Sequence, residues 1–211
     1  MATDALTIWG RANSGNVMKV LWLCEELSIP FSRVDAGGTF GVTKEARYLA
    51  MNPNSTVPTI EEADGFTLWE SNSILRYLAS TRHGGAALYP NDPRERAKVD
   101  QWLDWILGVL NPNVTLLFWA LVRLPKEQRD EKAFAKAHAE SIRLWHIAEE
   151  QLEGREYLCG AFSIADIGIG ALVHRWHNLP LERPDLPRLA AYYERLRQHP
   201  GFRQHLDVPL S

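Results

Sequence analysis

Cysteine is scarce in this chain of 211 residues: Cys24 and Cys159 are the only two. They form no C-x-x-C pair, and no Cys/His spacing suits a metal. That excludes a disulfide-stapled secreted fold and a zinc module, and it fits a reduced, intracellular protein. An excess of either charge is also lacking. The 26 acidic and 23 basic residues leave a net charge of −3, which gives no electrostatic grip on nucleic acid or anionic lipid. Internal repeats and low-complexity tracts are absent. Met1-Ala2-Thr3-Asp4-Ala5-Leu6 has neither a basic n-region nor an apolar core, so no signal peptide is read there. Residues 102–122 are apolar enough to test as a membrane span. Asp104, Asn111, Pro112 and Asn113 interrupt them, so a buried helix pair or a kinked helix is expected. The expectations are a cytoplasmic protein with no metal, no nucleic-acid partner and no membrane.

What is present is ordinary for a globular protein, at 45% hydrophobic and 23% charged residues. The length allows one large domain or two small ones. Leu6-Thr7-Ile8-Trp9 reads as a strand and residues 10–15 as a loop. Val17, Val20, Leu21, Cys24 and Leu27 then recur at helical spacing, predicting an amphipathic helix over 16–28. A strand follows over 31–34, and a helix over 44–51. Two further strands and a helix over 71–81 complete the order βαβαββα. The first βαβ pairs in parallel through a right-handed crossover, and the hairpin adds an antiparallel edge. The order is thioredoxin-like, an α+β unit with a mixed four-stranded sheet over 1–82. The Gly- and Pro-rich stretch 83–93 reads as a linker. Residues 94–211 read as an all-α helical bundle. Its helices fall over 94–110 (closed by Asn111-Pro112), 114–123, 126–152 and 187–198.

Two stretches carry chemistry. Asn52-Pro53-Asn54-Ser55 is a turn signal, and Pro58 follows at the mouth of a strand. A cis Val57-Pro58 peptide would turn the N–H and C=O of Val57 outward, toward an extended peptide ligand. Glu70-Ser71 sits at a helix start, where a carboxylate is attracted. A plain hairpin and an ordinary Ser cap account for the same residues. In the second half, Ser163-Ile164-Ala165-Asp166 is a capping box with Asp in place of Glu. It opens an apolar run in which Gly168 and Gly170 permit close approach, as in a buried central helix.

Ser14-Gly15-Asn16-Val17-Met18-Lys19, Asn52-Pro53 with Val57-Pro58, the run from Glu70-Ser71 to Leu78 and the Ser163–Asp166 box occur here in one order. In that order and spacing the chain resembles the cytosolic glutathione S-transferases, most closely the Ser-using theta, phi and related bacterial branches. The resemblance implies a thioredoxin-like domain followed by a helical domain, usually in a homodimer, with glutathione as co-substrate. It implies that Val57, with Pro58 cis, bonds the cysteinyl backbone of glutathione. Glu70 meets the γ-glutamyl ammonium, Ser71 its carboxylate, and Lys44 the glycyl carboxylate. Thr56 is a further glutathione-binding candidate by its position, where it departs from the Gln or Lys often found there. Ser14 is the thiol-activating hydroxyl, with Asn13 and Asn16 able to share the role. A small hydrophobic electrophile is expected in a pocket with Arg11, Trp105, Phe118, Trp119 and Arg123 as candidates.

The chemistry of Ser14 also stands by itself. A free thiol with a pKa near ~8.5 is mostly protonated at neutral pH, and the thiolate is the nucleophile. A hydroxyl donor and a helix N-terminus each favour the anion by about 1 kcal/mol or more. A plain N-cap role for Ser14 remains open beside this one. No Cys occurs between Gly10 and Lys19, which speaks against disulfide exchange. Peroxide reduction, other glutathione-dependent reductions and dehalogenation use the same kind of site. A non-catalytic scaffold of the same fold is the alternative of another class, and it needs neither Ser14 nor Glu70-Ser71.

Overall fold

The computed structural model describes residues 6–210. Residues 1–5, which belong to the stretch read as lacking a signal peptide, lie outside the described ones. The chain divides between Tyr89 and Pro90 into two units.

In the first unit, strand β1 (Leu6–Trp9) is followed by helix α1 (Gly15–Glu26) and strand β2 (Phe31–Val34). Helix α2 (Ala46–Met51) comes next, then β3 (Thr59–Glu61), β4 (Thr67–Trp69) and α3 (Ser71–Thr81). The sheet order is β2-β1-β3-β4, with β1 parallel to β2 and antiparallel to β3, and β3 antiparallel to β4. This is the mixed four-stranded, thioredoxin-like sheet that the element order predicts. Ile8 and Ile60 face each other across β1 and β3 and are fully buried with Val20, Leu23, Ile74, Leu75 and Leu78 of the helices. Two boundaries differ from the sequence reading. Helix α1 ends at Glu26, and α2 begins at Ala46, because Gly37, Gly38, Gly41 and Val42 all take positive φ and hold the preceding segment in turns.

The second unit is all-helical: α4 (Pro93–Trp105), α5 (Asn111–Phe118), α6 (Glu131–Gln151), α7 (Ile164–Asn178), α8 (Pro187–Leu196) and α9 (Pro200–His205). Asn111-Pro112 does not close a helix, contrary to the expectation. A π-type segment, Ile106–Leu110, joins α4 to α5 without a break, and a second one, Trp119–Arg123, follows α5. The wider π turn leaves room ahead of Pro112, whose missing N–H would otherwise break the ladder. Asn113 Nδ2 donates to the Val109 carbonyl at 2.9 Å, satisfying an acceptor left by the irregular turn. The run Pro93–Arg123 is long and apolar enough to cross a membrane by length and composition alone. Val99, Leu103, Ile106, Leu110, Val114 and Leu117 are buried along it, while Leu107, Val109, Leu116 and Trp119 are exposed.

Helix α6 begins at Glu131 rather than 126, because Asp130 caps it by accepting from the Ala133 N–H. Helix α9 goes beyond the sequence reading.

Helix α7 is the centre of this unit. Every residue from Ile164 to Val173 is buried, and a Cβ on Gly168 would lie 2.7 Å from Leu103 Cδ2. The capping box forms. Asp166 Oδ2 accepts from the Ser163 N–H at 2.8 Å, and Ser163 Oγ accepts from the Ala165 N–H at 3.3 Å. Asp166 does more than cap. Its carboxylate also accepts from the Leu158 N–H at 3.0 Å and the Tyr192 hydroxyl at 2.8 Å, tying the α6–α7 connection and α8 to the central helix. Burial pushes this carboxyl above its ordinary pKa, while these donors pull the other way.

Candidate active site

Strand register brings the first unit's candidate residues to one end of the sheet. Trp9, the last residue of β1, stands opposite Thr59, the first of β3. Thr59 stands opposite Trp69, the last of β4. The chain therefore leaves β1 toward Ser14, enters β3 from Val57-Pro58 and leaves β4 into Glu70-Ser71 at that same end. Trp9 also pairs with Val34, so the 35–45 segment bearing Lys44 starts there too.

The first turn is fixed by its backbone. Gly10 N–H donates to Val34 O at 2.8 Å, Arg11 N–H to Ala36 O at 3.0 Å, and Arg33 donates to Gly10 O at 2.9 Å. A Cβ on Gly10 would sit 2.5 Å from Val17 and 3.3 Å from Val57, so the β1–α1 turn and the Val57 segment pack through a bare backbone. The Arg11 side chain lies along Gly37-Gly38. Ser14 occupies the N-cap position of α1, and its carbonyl accepts from Val17 and Met18. Its side chain makes no cap hydrogen bond, and its hydroxyl has no partner among the described residues, although the residue is only 8% exposed. The plain cap role is therefore not the one the geometry shows. Asn13 is half-buried, and Asn16 is exposed in the first turn.

The Val57-Pro58 peptide is cis. The stretch before it rests on a buried polar knot. The Tyr48 hydroxyl and Asn52 Nδ2 donate to the Thr56 carbonyl at 2.6 and 2.9 Å, and both meet Thr59 Oγ1, at 2.9 and 3.1 Å. Asn52 Oδ1 accepts from the Asn54 N–H at 3.0 Å, the local turn bond its type predicts. Ser55 Oγ donates to Thr43 O at 2.8 Å, which holds the 43–45 segment, and so Lys44, beside this turn. Thr56 and Lys44 themselves are exposed. The Val57 backbone groups have no hydrogen-bond partner among the described residues, so both can pair with a ligand. Tyr48 and Thr59 escape the sequence reading, because their role appears only once α2 packs on β3.

Glu70 precedes α3 at φ 71, ψ 108. A non-glycine residue there carries about 1–3 kcal/mol of strain, which persists where the surrounding fold over-determines it. Its carboxylate is exposed and makes no hydrogen bond among the described residues. Ser71 is buried at the first position of α3, and no side chain caps that terminus. The opening N–H groups of α3 are thus left for an anion.

Lys19 is the residue that sequence reasoning left without a role. It is only 5% exposed, and its Nζ donates to Asn72 Oδ1 at 2.7 Å. Burial pushes its ammonium down to about 8, against the pull of Glu70. The available signal was a lysine set in a run whose neighbours Val17 and Val20–Cys24 are all core residues.

In the second unit, Trp105 ends α4 edge-on to Trp102, at 5.1 Å between ring centres. Phe118 is buried, with the Arg123 and Arg175 guanidinium groups over its ring at 5.5 and 4.1 Å. Arg175 had no place in the sequence-level set. Trp119 is 50% exposed. No group of three or more His, Cys, Asp or Glu side chains able to hold a metal occurs among the described residues.

Comparison with known proteins fits this arrangement. The glutathione S-transferase N-terminal domain model matches residues 13–81, and the C-terminal domain model matches residues 131–195. The chain belongs to the glutathione S-transferase family. It is 35% identical to the glutathione S-transferase GstB of Escherichia coli (strain K12), over 98% of this chain and 100% of that protein. It is 41% identical to the theta class glutathione S-transferase of Xanthomonas axonopodis pv. citri, whose crystal structure has glutathione bound. The TM-score is 0.92, with 99% and 100% of the two chains covered. The E. coli disulfide-bond oxidoreductase YfcG is 29% identical, over 92% of each chain.

Proposed function

We propose that this glutathione transferase activates the thiol of its co-substrate glutathione at Ser14 and directs the thiolate at a small hydrophobic electrophile. One observation carries the assignment: the Ser14 hydroxyl sits at an uncapped helix N-terminus with no partner among the described residues. A hydroxyl that caps its helix is already engaged; this one is available to donate to sulfur. Donation to a charged acceptor is worth about 1.5–3 kcal/mol, and the helix terminus adds a few tenths to 1 kcal/mol. Together these lower a thiol pKa by about 1–3 units. Asn13 and Asn16 offer amide donors beside it.

The rest of the sheet end holds glutathione in register. The Val57 N–H and C=O, presented by the cis Pro58 turn, pair with the cysteinyl backbone. Thr56 contributes little, because its carbonyl is engaged by Tyr48 and Asn52. Glu70 meets the γ-glutamyl ammonium, and Ser71 with the α3 terminus takes the α-carboxylate. Lys44 takes the glycyl carboxylate. For the electrophile, Arg11 is the candidate from the first unit, and Trp105, Phe118, Trp119 and Arg123 are the candidates from the second, with half-exposed Trp119 the most accessible of the aromatics. The protein works as a homodimer in the cytoplasm, where its two free cysteines stay reduced.

A second reading rests on the similarity to YfcG: the same thiolate reduces a disulfide or peroxide, with glutathione oxidised. The test is retention on immobilised glutathione, followed by panels of aryl halides, peroxides and mixed disulfides. Turnover of the halide supports conjugation, and turnover of the others alone supports reduction. The absence of both binding and turnover overturns the assignment of the site.

A further inference from the structure

We propose that Lys19 is a positioning residue for glutathione, a buried cation that holds the N-terminus of α3 in place and makes it selective for a carboxylate. The proposal rests on the glutathione site described above and goes beyond it in naming what sets the charge and register of its anion pocket.

Three observations meet here. First, Lys19 lies in the second turn of α1, the helix that Ser14 opens, and its ammonium is packed away from water. Long cationic side chains normally reach the surface, so a buried one marks a specific demand. Second, the hydrogen bond from Nζ to Asn72 Oδ1, at 2.7 Å, crosses from α1 to the second residue of α3. It ties the helix that presents the thiol-activating hydroxyl to the helix that presents the carboxylate seat. The separation between those two points is what glutathione must span, and this bond pins it. Third, the charged groups acting on Lys19 are Glu70, which favours the ammonium, and Arg76, which opposes it. Both stand on or at the start of α3. Glu70 acts through space without touching Nζ, and its carboxylate faces solvent.

These positions assign Lys19 a second effect. The open N–H groups of a helix start amount to about half a positive charge. A full charge held beneath the same turn, where little water screens it, adds to that potential at Ser71. The strained Glu70 would otherwise make this corner negative and repel an incoming carboxylate. With Lys19 beneath it, Glu70 is free to receive an ammonium while the helix start receives an anion. An α-amino acid end, with both charges on one carbon, matches that pair. An ammonium buried this deeply loses its proton near pH 8, so the affinity falls as the pH rises through that value.

The experiment measures binding of S-methylglutathione, which has no thiol to titrate, to wild type and Lys19→Met between pH 6.5 and 9. Circular dichroism checks the fold. At pH 7 the variant is expected to bind about tenfold more weakly, the scale of one lost charge effect at a partly screened site. The variant-to-wild-type ratio of Kd should shrink at least threefold by pH 9, because wild type then loses the charge that the variant never had. The kcat at saturating glutathione should change less than about threefold. Asn72→Leu leaves the ammonium without its acceptor, and it should weaken binding and move the wild-type pH step to lower pH. That variant decides the matter if Lys19→Met does not fold. Binding by Lys19→Met within twofold of wild type overturns the proposal. So does a Kd ratio flat in pH, or an Asn72→Leu step that stays where wild type has it. If wild type itself fails to bind S-methylglutathione, the glutathione site and this proposal fall together. Wild-type binding with an indifferent Lys19→Met removes the proposal and leaves the site standing.

Discussion

Replacing Ser14 by Ala separates chemistry from architecture, because the hydroxyl has no architectural partner among the described residues. Its oxygen accepts no N–H from α1, so its removal orphans nothing. Folding stability should change by no more than about 0.5 kcal/mol, the usual range for a side chain without engaged groups. A true N-cap would cost about 0.5–2 kcal/mol. The catalytic loss follows from the hydrogen bond to the thiolate, about 1.5–3 kcal/mol. At 1.36 kcal/mol per unit, the pKa of bound glutathione rises by about 1–2 units, and kcat near pH 6.5 falls roughly 10- to 100-fold. The deficit narrows at pH 9, where a free thiol ionises unaided. The KM for glutathione should hardly move, since the proposed binding contacts are those of Val57, Glu70 and Ser71. The assays are chemical denaturation, the ultraviolet absorbance of bound thiolate against pH, and conjugation of an aryl halide. A stability loss beyond about 1 kcal/mol with unchanged kcat refutes the reasoning and returns Ser14 to a capping role. A larger kcat loss in Asn13→Ala or Asn16→Ala moves the activation to an amide.

Three further outcomes follow from other parts of the molecule. Ser71→Ala should raise the KM for glutathione roughly tenfold with little change in kcat, since it removes one donor to a carboxylate; a fall in kcat at constant KM would contradict its placement. Asp166→Ala should cost about 3 kcal/mol or more in urea denaturation, well above a lost cap, because it strands the Leu158 and Ser163 N–H groups and the Tyr192 hydroxyl in the core. A result within about 0.5 kcal/mol of wild type would show that the site relaxes. His177 stacks on Tyr193 at 4.5 Å, its Nε2 is buried without a hydrogen-bond partner among the described residues, and burial holds its pKa at about 4. The unfolded ring binds a proton near pH 6.5 and the folded one does not, so stability is lost as pH falls from 6.5 to 4. His177→Phe keeps the stacking and should flatten that slope, by about 1–2 kcal/mol after allowing for partial exposure. An unchanged slope assigns the pH dependence to other groups.

The elements of the first unit are legible because each has a local cause. The spacing of Val17, Val20, Leu21 and Cys24 marks α1, and Asn52-Pro53 marks the turn before β3. Ser163-Ile164-Ala165-Asp166 is legible for the same reason, since a cap is written in adjacent residues. What is not legible depends on residues far apart in sequence. Asp166 reads as a cap but also receives Tyr192, 26 residues on. Lys19 meets Asn72 across 53 residues, and the core residues around Lys19 mark its burial but not its partner. Asn111-Pro112 misled for the opposite reason. Proline is a strong local stop signal, and a π turn, which has no sequence signature of its own, absorbs it.

The caps also show where this fold accepts a cost. Asp92, Asp130 and Ser163 close α4, α6 and α7 with side-chain acceptors. Helices α2, α8 and α9 have no side-chain cap either, but only α1 and α3 start with a serine at the N-cap or first helical position that leaves the start uncapped. Two missing caps forgo about 1 kcal/mol each. The φ of Glu70 adds about 1–3 kcal/mol of strain. Against a typical total of about 5–15 kcal/mol this is a large sum to gather at one end of one sheet. It is consistent with a native state whose missing partners arrive with the ligand. In the proposed placement, a thiolate at α1 and a carboxylate at α3 would supply the acceptors that the chain withholds. Binding and stability are then one linked quantity, and glutathione completes the same two helices that it uses for chemistry.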